Sequence, residues 1–334
     1  MGKWMNKALT GLSLGAILSA GAAFAEPREL SIATYIPAAS GFVKNMLEPW
    51  AAWINEHSGD EFKVKVYAGG TLGKDPDQQD KIVKDGIADM SIIVPGRNPA
   101  EYAQFQVFEL PAFARSGADG SEAAWQMYKE GTLPGLKDLD LLTIFMSDPY
   151  MVHASEPINN LDDLKGKKFR AIGAIQTETL LALGAIPENV KITETPESIS
   201  RGLLSGALAD WSVAKTFKIT EVTNHTYNVP LGNLVFVIAM NRDSYAALSD
   251  SGKDVFKQAS EHWNTILRGY LADQQDSVRK AKMDKGEVVV EATDADIEAL
   301  REATKSIREE VAGRVGQDLI DAYTKKLAEV VASH

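Results

Sequence analysis

The chain has 334 residues, a formal net charge of −11 and no cysteine. Without thiols it has no disulfide, no thiolate chemistry and no cysteine-based zinc site. Its acidity argues against nucleic acid or an anionic membrane as a bulk partner. A chain of this length buries a large core, usually divided between two domains.

Residues 1–25 read as a secretory leader. Lys3 and Lys7 form a positive start, Ala8 to Ala22 is apolar, and Ala23-Phe24-Ala25 is a small-x-small cleavage site. The apolar run is short for a bilayer span, which needs about 20 such residues, and no lipid-attachment cysteine is available. Cleavage after Ala25 makes Glu26 the mature amino terminus and moves the formal charge from −11 to −13. An anionic ligand would be repelled by the molecule as a whole, so its recognition has to be local.

Beyond the leader, strands and helices alternate. Leu30 to Tyr35 reads as a strand, Phe42 to Ile54 carries apolar residues at helical spacing, and Phe62 to Tyr67 alternates as a half-exposed strand does. A helix around Gln78 to Asp85 leads to the apolar strand Met90 to Val94. A second series of strands and helices runs from Leu141 through Val213. This rhythm predicts α/β architecture with mostly parallel sheets flanked by helices. Thr195-Pro196-Glu197 reads as a capped helix start, with Ile199, Leu203 and Leu204 on its buried side and Gly206 at its end. The strand Leu208 to Val213 then brings Asp210 and Trp211 near its carboxyl end. Leu234 to Met240 is the uninterrupted apolar strand of a sheet centre, and Asn241 opens a turn. From Ser251 to Lys285 nothing interrupts a helical pattern, which at 1.5 Å per residue gives roughly 50 Å. Asp294 to Val311 and Gln317 to Val331 read as terminal amphipathic helices.

Arg170 ends the short strand Lys167 to Gly173, ahead of a helical run from Thr177 to Ala185. In open α/β folds ligands bind at the carboxyl edge of the strands. A guanidinium there offers a planar fork matched to a carboxylate. Most arginines are solvated, so position alone does not decide; the surrounding stretch does. Leu164-Lys165-Gly166, Arg170, Leu183-Gly184-Ala185, Pro187, Pro196-Glu197 and Gly206 to Asp210 follow one another in a characteristic order. With Gly69-Gly70-Thr71-Leu72-Gly73 and Leu110-Pro111-Ala112-Phe113, this order resembles the DctP-like solute-binding proteins of TRAP transporters over nearly the whole mature chain.

That resemblance implies a periplasmic, two-lobed binding-protein fold (type II-like) with the long helix spanning both lobes. By similarity, lobe one takes residues 26–148 and 234–273, and lobe two takes 149–233 and 274–334. The implied partners are a small organic acid and the small and large integral-membrane subunits of a TRAP permease; no cofactor, no metal and a monomer are expected. In sialic-acid-binding relatives a second arginine, an asparagine, a glycine and a glutamate fall where this chain has Tyr150, Ala214, Trp211 and Val94. These departures remove charge or add bulk, so the pocket suits a monoanion with an apolar or aromatic body. The hydroxyls of a polyhydroxylated acid would go unpaired there, at roughly 1–3 kcal/mol each. Arg170 is expected to hold the carboxylate, with Tyr150, Trp211, Tyr35 and Phe217 shaping the site. Arg97 is a second candidate cation, His153 a candidate donor, and Asn241 a further candidate ligand contact. Sulfonates, short hydroxy or oxo acids and dicarboxylates are the alternative ligands, and an exported ligand sensor or a sparse hydrolase the alternative functions.

Other motifs lead nowhere. Gly11-Leu12-Ser13-Leu14-Gly15 matches a nucleophile elbow but lies in the leader. The Gly69 to Lys74 stretch lacks a spacer and the Ser or Thr of a phosphate loop. Asp75-x-Asp77-x-x-Asp80 lacks the glycine and the terminal glutamate of a calcium loop. His57, His153, His225, His262 and His334 show no metal-ligand spacing, and no Ser/His/Asp order stands out.

Overall fold

The computed structural model describes residue 1 and residues 26–334; the leader and its cleavage site otherwise lie outside the described residues. Strand β1 (Arg28–Ala33) is followed by a wide helical turn over Val43–Leu47, helix α1 (Glu48–His57) and strand β2 (Phe62–Tyr67), which pairs in parallel with β1. The crossover forms because Val43, Met46, Leu47, Trp50 and Ile54 recur at helical spacing and all are buried. Helix α2 (Gln79–Lys84), the wholly buried strand β3 (Met90–Ile93), helix α3 (Gly117–Lys129) and strand β4 (Leu139–Met146) complete the first part of the chain.

The chain then builds a second sheet. Strands β5 (Met151–Ala154) and β6 (Lys168–Arg170) lead to helix α4 (Gly173–Ala182), strand β7 (Ile186–Glu188) and helix α5 (Thr195–Ser200). Strand β8 (Gly206–Ala209), helix α6 (Trp211–Thr216) and strand β9 (His225–Asn228) follow. Strand β10 (Val235–Asn241) returns to the first sheet and runs antiparallel between β3 and β4. After helix α7 (Arg242–Ala246), the 34-residue helix α8 (Asp250–Met283) leads to strand β11 (Val288–Glu291). The chain ends with helices α9 (Asp294–Ala303), α10 (Lys305–Val315) and α11 (Gln317–Ala332). The sheet orders are β2-β1-β3-β10-β4 and β11-β9-β5-β8-β6-β7.

Helix α8, about 50 Å long, joins the two bodies. Its Phe256, Ala259 and Trp263 pack in a core shared with α1 and β4, while Val278 packs with Met151 and Trp211 beside the second sheet. The carboxyl end does not go to lobe two as expected. Ile307, Val311, Leu319, Ile320 and Tyr323 of α10 and α11 bury themselves with Phe105, Phe108 and Trp125 of lobe one. Tyr323 stands edge-on to Phe108 at 4.7 Å. The apolar stripe of α11 packs along α3 in this core, so residues 305–332 cover the first lobe.

Several boundaries move for local reasons. The expected helix Asp294 to Val311 breaks at Thr304, whose hydroxyl donates to Leu300 O at 2.7 Å and competes with the helix ladder. Thr195 is not the cap of α5, because its hydroxyl donates to Lys191 O at 3.1 Å. Leu203 is 60% exposed, and it is Gly202, at φ +69°, that follows the end of α5. Gly206 belongs instead to β8, where a Cβ would stand 2.1 Å from His153 O across the ladder. The strand expected to run to Val213 stops at Ala209, because Asp210 caps α6 by accepting from Val213 N at 2.7 Å.

Candidate functional site

Strand β6 alternates, so Phe169 and Arg170 point to opposite faces; both are buried, Arg170 at 2% exposure. The Arg170 Nε donates to Val190 O at 3.2 Å. Among the described residues its two terminal nitrogens have no hydrogen-bond or ion-pair partner, and the side chain lines a cavity. Burial draws its pKa down to about 10, with Tyr150 and Tyr35 opposing the shift and Arg97 adding to it. A buried cation without an anion is a costly arrangement unless something else supplies the charge.

The cavity lies between the sheets and against α8. Its walls are mainly aromatic and aliphatic: Phe42 stacks on Phe145 at 5.8 Å, Phe145 on Phe236 at 5.0 Å, and Tyr35 on Phe217 at 6.2 Å. The cavity volume is about 60 Å³. At roughly 10–15 Å³ per water of such volume, this is room for a few waters or one small organic molecule. Tyr35 and Tyr150 also line it, and burial raises both phenol pKa values, so both hydroxyls stay protonated donors. The backbone pins Tyr150 in place, its N donating to Gly232 O at 2.7 Å and its O accepting from Leu231 N at 2.9 Å. Arg97 reaches the same cavity but is ion-paired with Asp77.

Comparison with known proteins places this geometry in a family. The family model for DctP, described as "Bacterial extracellular solute-binding protein, family 7", matches residues 32–314. The chain belongs to this family, the solute-binding proteins of TRAP transporters. Among relatives it is 25% identical over 304 residues to the outer membrane transporter protein TsaT of Comamonas testosteroni, covering 85% of this chain and 87% of that one. Among solved structures it is similar to a marine metagenome TRAP solute-binding protein specific for aromatic acid ligands, in complex with 3-hydroxybenzoate. That likeness has a TM-score of 0.86 and 23% identity, over 92% of this chain and 99% of the other. It is likewise similar to a TRAP solute-binding protein of Rhodoferax ferrireducens T118 in complex with copurified benzoate, with a TM-score of 0.85 and 23% identity over 91% and 99% of the two chains.

In this DctP-family protein, Arg170, Tyr150, Tyr35, Phe217 and Arg97 all converge on the cavity. Three sequence candidates do not. Trp211 opens α6 rather than continuing β8, and the turn sends its ring beneath the sheet onto Met151 and Val278. His153 lies on the same face, edge-on to Trp211 at 4.8 Å, with Nδ1 2.9 Å from Thr226 Oγ1. Burial, then Lys282, drives its pKa down to about 3, so it is a neutral core histidine. Asn241 ends β10, roughly 16 Å along the strand from Phe236. There its side chain caps α7 through Asp243 N and Ser244 N and donates to Val83 O.

Other lining residues escaped the sequence reading. Phe42, Phe145 and Phe236 are indistinguishable from core residues by spacing alone. Tyr270 falls in the apolar stripe of α8 and Ser212 in the first turn of α6. Asp210 reads in the sequence only as a residue near a strand end, yet it caps α6 and its buried carboxyl borders the cavity. The lobes touch at the cleft: Lys191 Nζ lies 3.0 Å from Asp75, and Gly173, at φ +69°, lets α4 approach Gly96 so closely that a Cβ would meet Gly96 O at 2.6 Å. The Asp75 to Asp80 stretch is thus a capped turn and an ion-pair partner. Among the described residues no group of three or more His, Cys, Asp or Glu side chains is arranged to hold a metal.

Proposed function

We propose that this protein captures a small organic monoanion, a carboxylate on an apolar or aromatic body, and delivers it to the membrane subunits of a TRAP permease without altering it. The observation that carries the reading is the buried Arg170 guanidinium, which lines a mainly apolar cavity and whose terminal nitrogens have no counter-ion among the described residues. A carboxylate there accepts two parallel bonds from the fork, and the Tyr35 and Tyr150 hydroxyls stand on the same cavity to donate to its remaining lone pairs. Aromatic walls favour a flat apolar body over a polyhydroxylated one. The benzoate and 3-hydroxybenzoate bound by the two structural neighbours are of this kind. Arg170, Tyr150, Tyr35 and Phe217 form the binding set in this reading, with Arg97 held in reserve by Asp77. The leader, removed after Ala25, sends the chain to the periplasm, where the two lobes close on the ligand and the closed form docks on the permease.

A thermal-shift screen of aromatic, aliphatic, dicarboxylic and sulfonic acids tests the proposal. Single-ring monocarboxylates raise the melting temperature most, since a ligand at 100 times its Kd stabilises by about 2.7 kcal/mol, and the acid is recovered unchanged. A best response from dicarboxylic or sulfonic acids, or a chemically altered ligand, overturns it.

A further inference from the structure

Three buried polar residues of the cavity take no part in holding the carboxylate: Asp210, Ser212 and Tyr270. Ser212 Oγ and Tyr270 Oη are 2.7 Å apart, joining α6 to α8. Two hydroxyls carry two protons, and only one can lie between them. The other O–H has no partner among the described residues. Asp210 accepts from Val213 N at 2.7 Å through Oδ1 and from Asp148 N at 3.1 Å through Oδ2. The Ser212 N–H also lies against this carboxylate; of its about four acceptor sites one remains, and no cation pairs with this group among the described residues. By contrast Ser147, also on the cavity, is fully engaged: it accepts from Leu234 N at 2.8 Å and donates to Asp148 O at 2.7 Å.

The placement relative to Arg170 is fixed by the second sheet. Strands β6 and β8 are parallel neighbours with Arg170 opposite Ala207, so Asp210 lies three residues, roughly 10 Å, further along the strand direction. Tyr150 lines the same cavity as Asp210 and Arg170. Phe42 closes the wall beside this group, edge-on to Tyr270 at 6.1 Å.

We infer that Asp210 with the Ser212–Tyr270 pair forms a second polar pole, which selects acids carrying a hydroxyl on the body remote from the carboxylate. The inference rests on the carboxylate reading of Arg170 and narrows it. A ring hydroxyl donates to Asp210 or accepts the spare O–H of the pair, whereas a second carboxylate meets the Asp210 charge and is disfavoured. Burial, reinforced by Asp148, pushes the Asp210 pKa up to about 7, so the discrimination against a second carboxylate grows as pH rises through that value.

Calorimetry with benzoate, its 3-hydroxy and 4-hydroxy derivatives and the corresponding benzene dicarboxylates tests this on the mature protein. The better hydroxylated acid binds about 10-fold tighter than benzoate, the worth of one satisfied buried hydrogen bond, and the dicarboxylates bind more weakly than benzoate. Tyr270→Phe and Ser212→Ala each lower the hydroxy-acid affinity several-fold more than the benzoate affinity, so the preference collapses. Asp210→Asn, which keeps a capping oxygen for α6, lessens the discrimination against the dicarboxylates. Equal binding of benzoate and both hydroxy acids, or a preference that survives all three substitutions, overturns the second pole while leaving the Arg170 reading intact. Binding of none of these acids overturns both.

Discussion

Replacing Arg170 with methionine should bring the lobes together in the absence of ligand. In the structure the guanidinium is almost completely buried, and its terminal nitrogens meet no acid among the described residues. Burial draws its pKa down to about 10, which places a penalty of about 3 kcal/mol on the charged form. The cation is the form present below pH 10, so the penalty is in full force at neutral pH and fades only as pH rises above about 10. Opening the cleft rehydrates the group and removes the penalty; an anion removes it with the cleft closed. The unliganded wild type is therefore biased toward the open form by on the order of 100-fold relative to a variant with an apolar side chain of similar length. Small-angle scattering reads the difference: the wild type contracts on adding ligand, and Arg170→Met is already contracted and no longer responds. If Arg170→Met without ligand is as expanded as the unliganded wild type, the argument from the buried charge is wrong.

Arg170→Lys keeps the charge and loses the fork, so it should weaken carboxylate binding by about 2–3 kcal/mol, or roughly 30- to 150-fold. Arg97→Lys costs under about 5-fold, because Arg97 is engaged by Asp77; equal small losses from both in calorimetry would count against the assignment of roles. Trp211→Ala destabilises by about 3–5 kcal/mol as a core truncation, yet leaves the Kd of the folded protein nearly unchanged; a ligand-selective loss would return Trp211 to the site. Glu109 is buried with its pKa raised to about 8 by burial, against the Val235 N–H, which lowers it. Its neutral form is favoured in the fold, so stability is lost as pH rises from about 4.5 to 8, by on the order of 3 kcal/mol at pH 7. Glu109→Gln should flatten the fall in melting temperature over that range, with the residual slope left by Asp210; an unchanged profile contradicts the raised value.

The parts of the fold that follow from periodicity were legible in the residues. Phe62 to Tyr67 alternates and forms a strand, and the unbroken helical pattern after Ser251 is α8. Arg170 could be placed at a sheet edge because a short strand and a helix flank it. What the pattern does not carry is the face on which a side chain emerges where one element gives way to another. Trp211 was assigned to the cleft as a strand residue, and the Asp210 cap turned it under the sheet. His153 lies one residue from Val152, and in a strand that single step exchanges one face for the other. Tyr270 and Phe145 lay in apolar stripes that core packing explains equally well, so only three dimensions show that those stripes border a cavity. The docking of α10 and α11 on lobe one depends on long-range surface fit, which no local pattern records.

A crystal structure of the protein with its best-binding acid tests the role of Arg170 without an intermediary. Both carboxylate oxygens should lie within about 2.7–3.2 Å of the Arg170 terminal nitrogens, inside a cleft closed between the sheets. A carboxylate held elsewhere, or an Arg170 side chain turned out to solvent with ligand bound, would overturn that role.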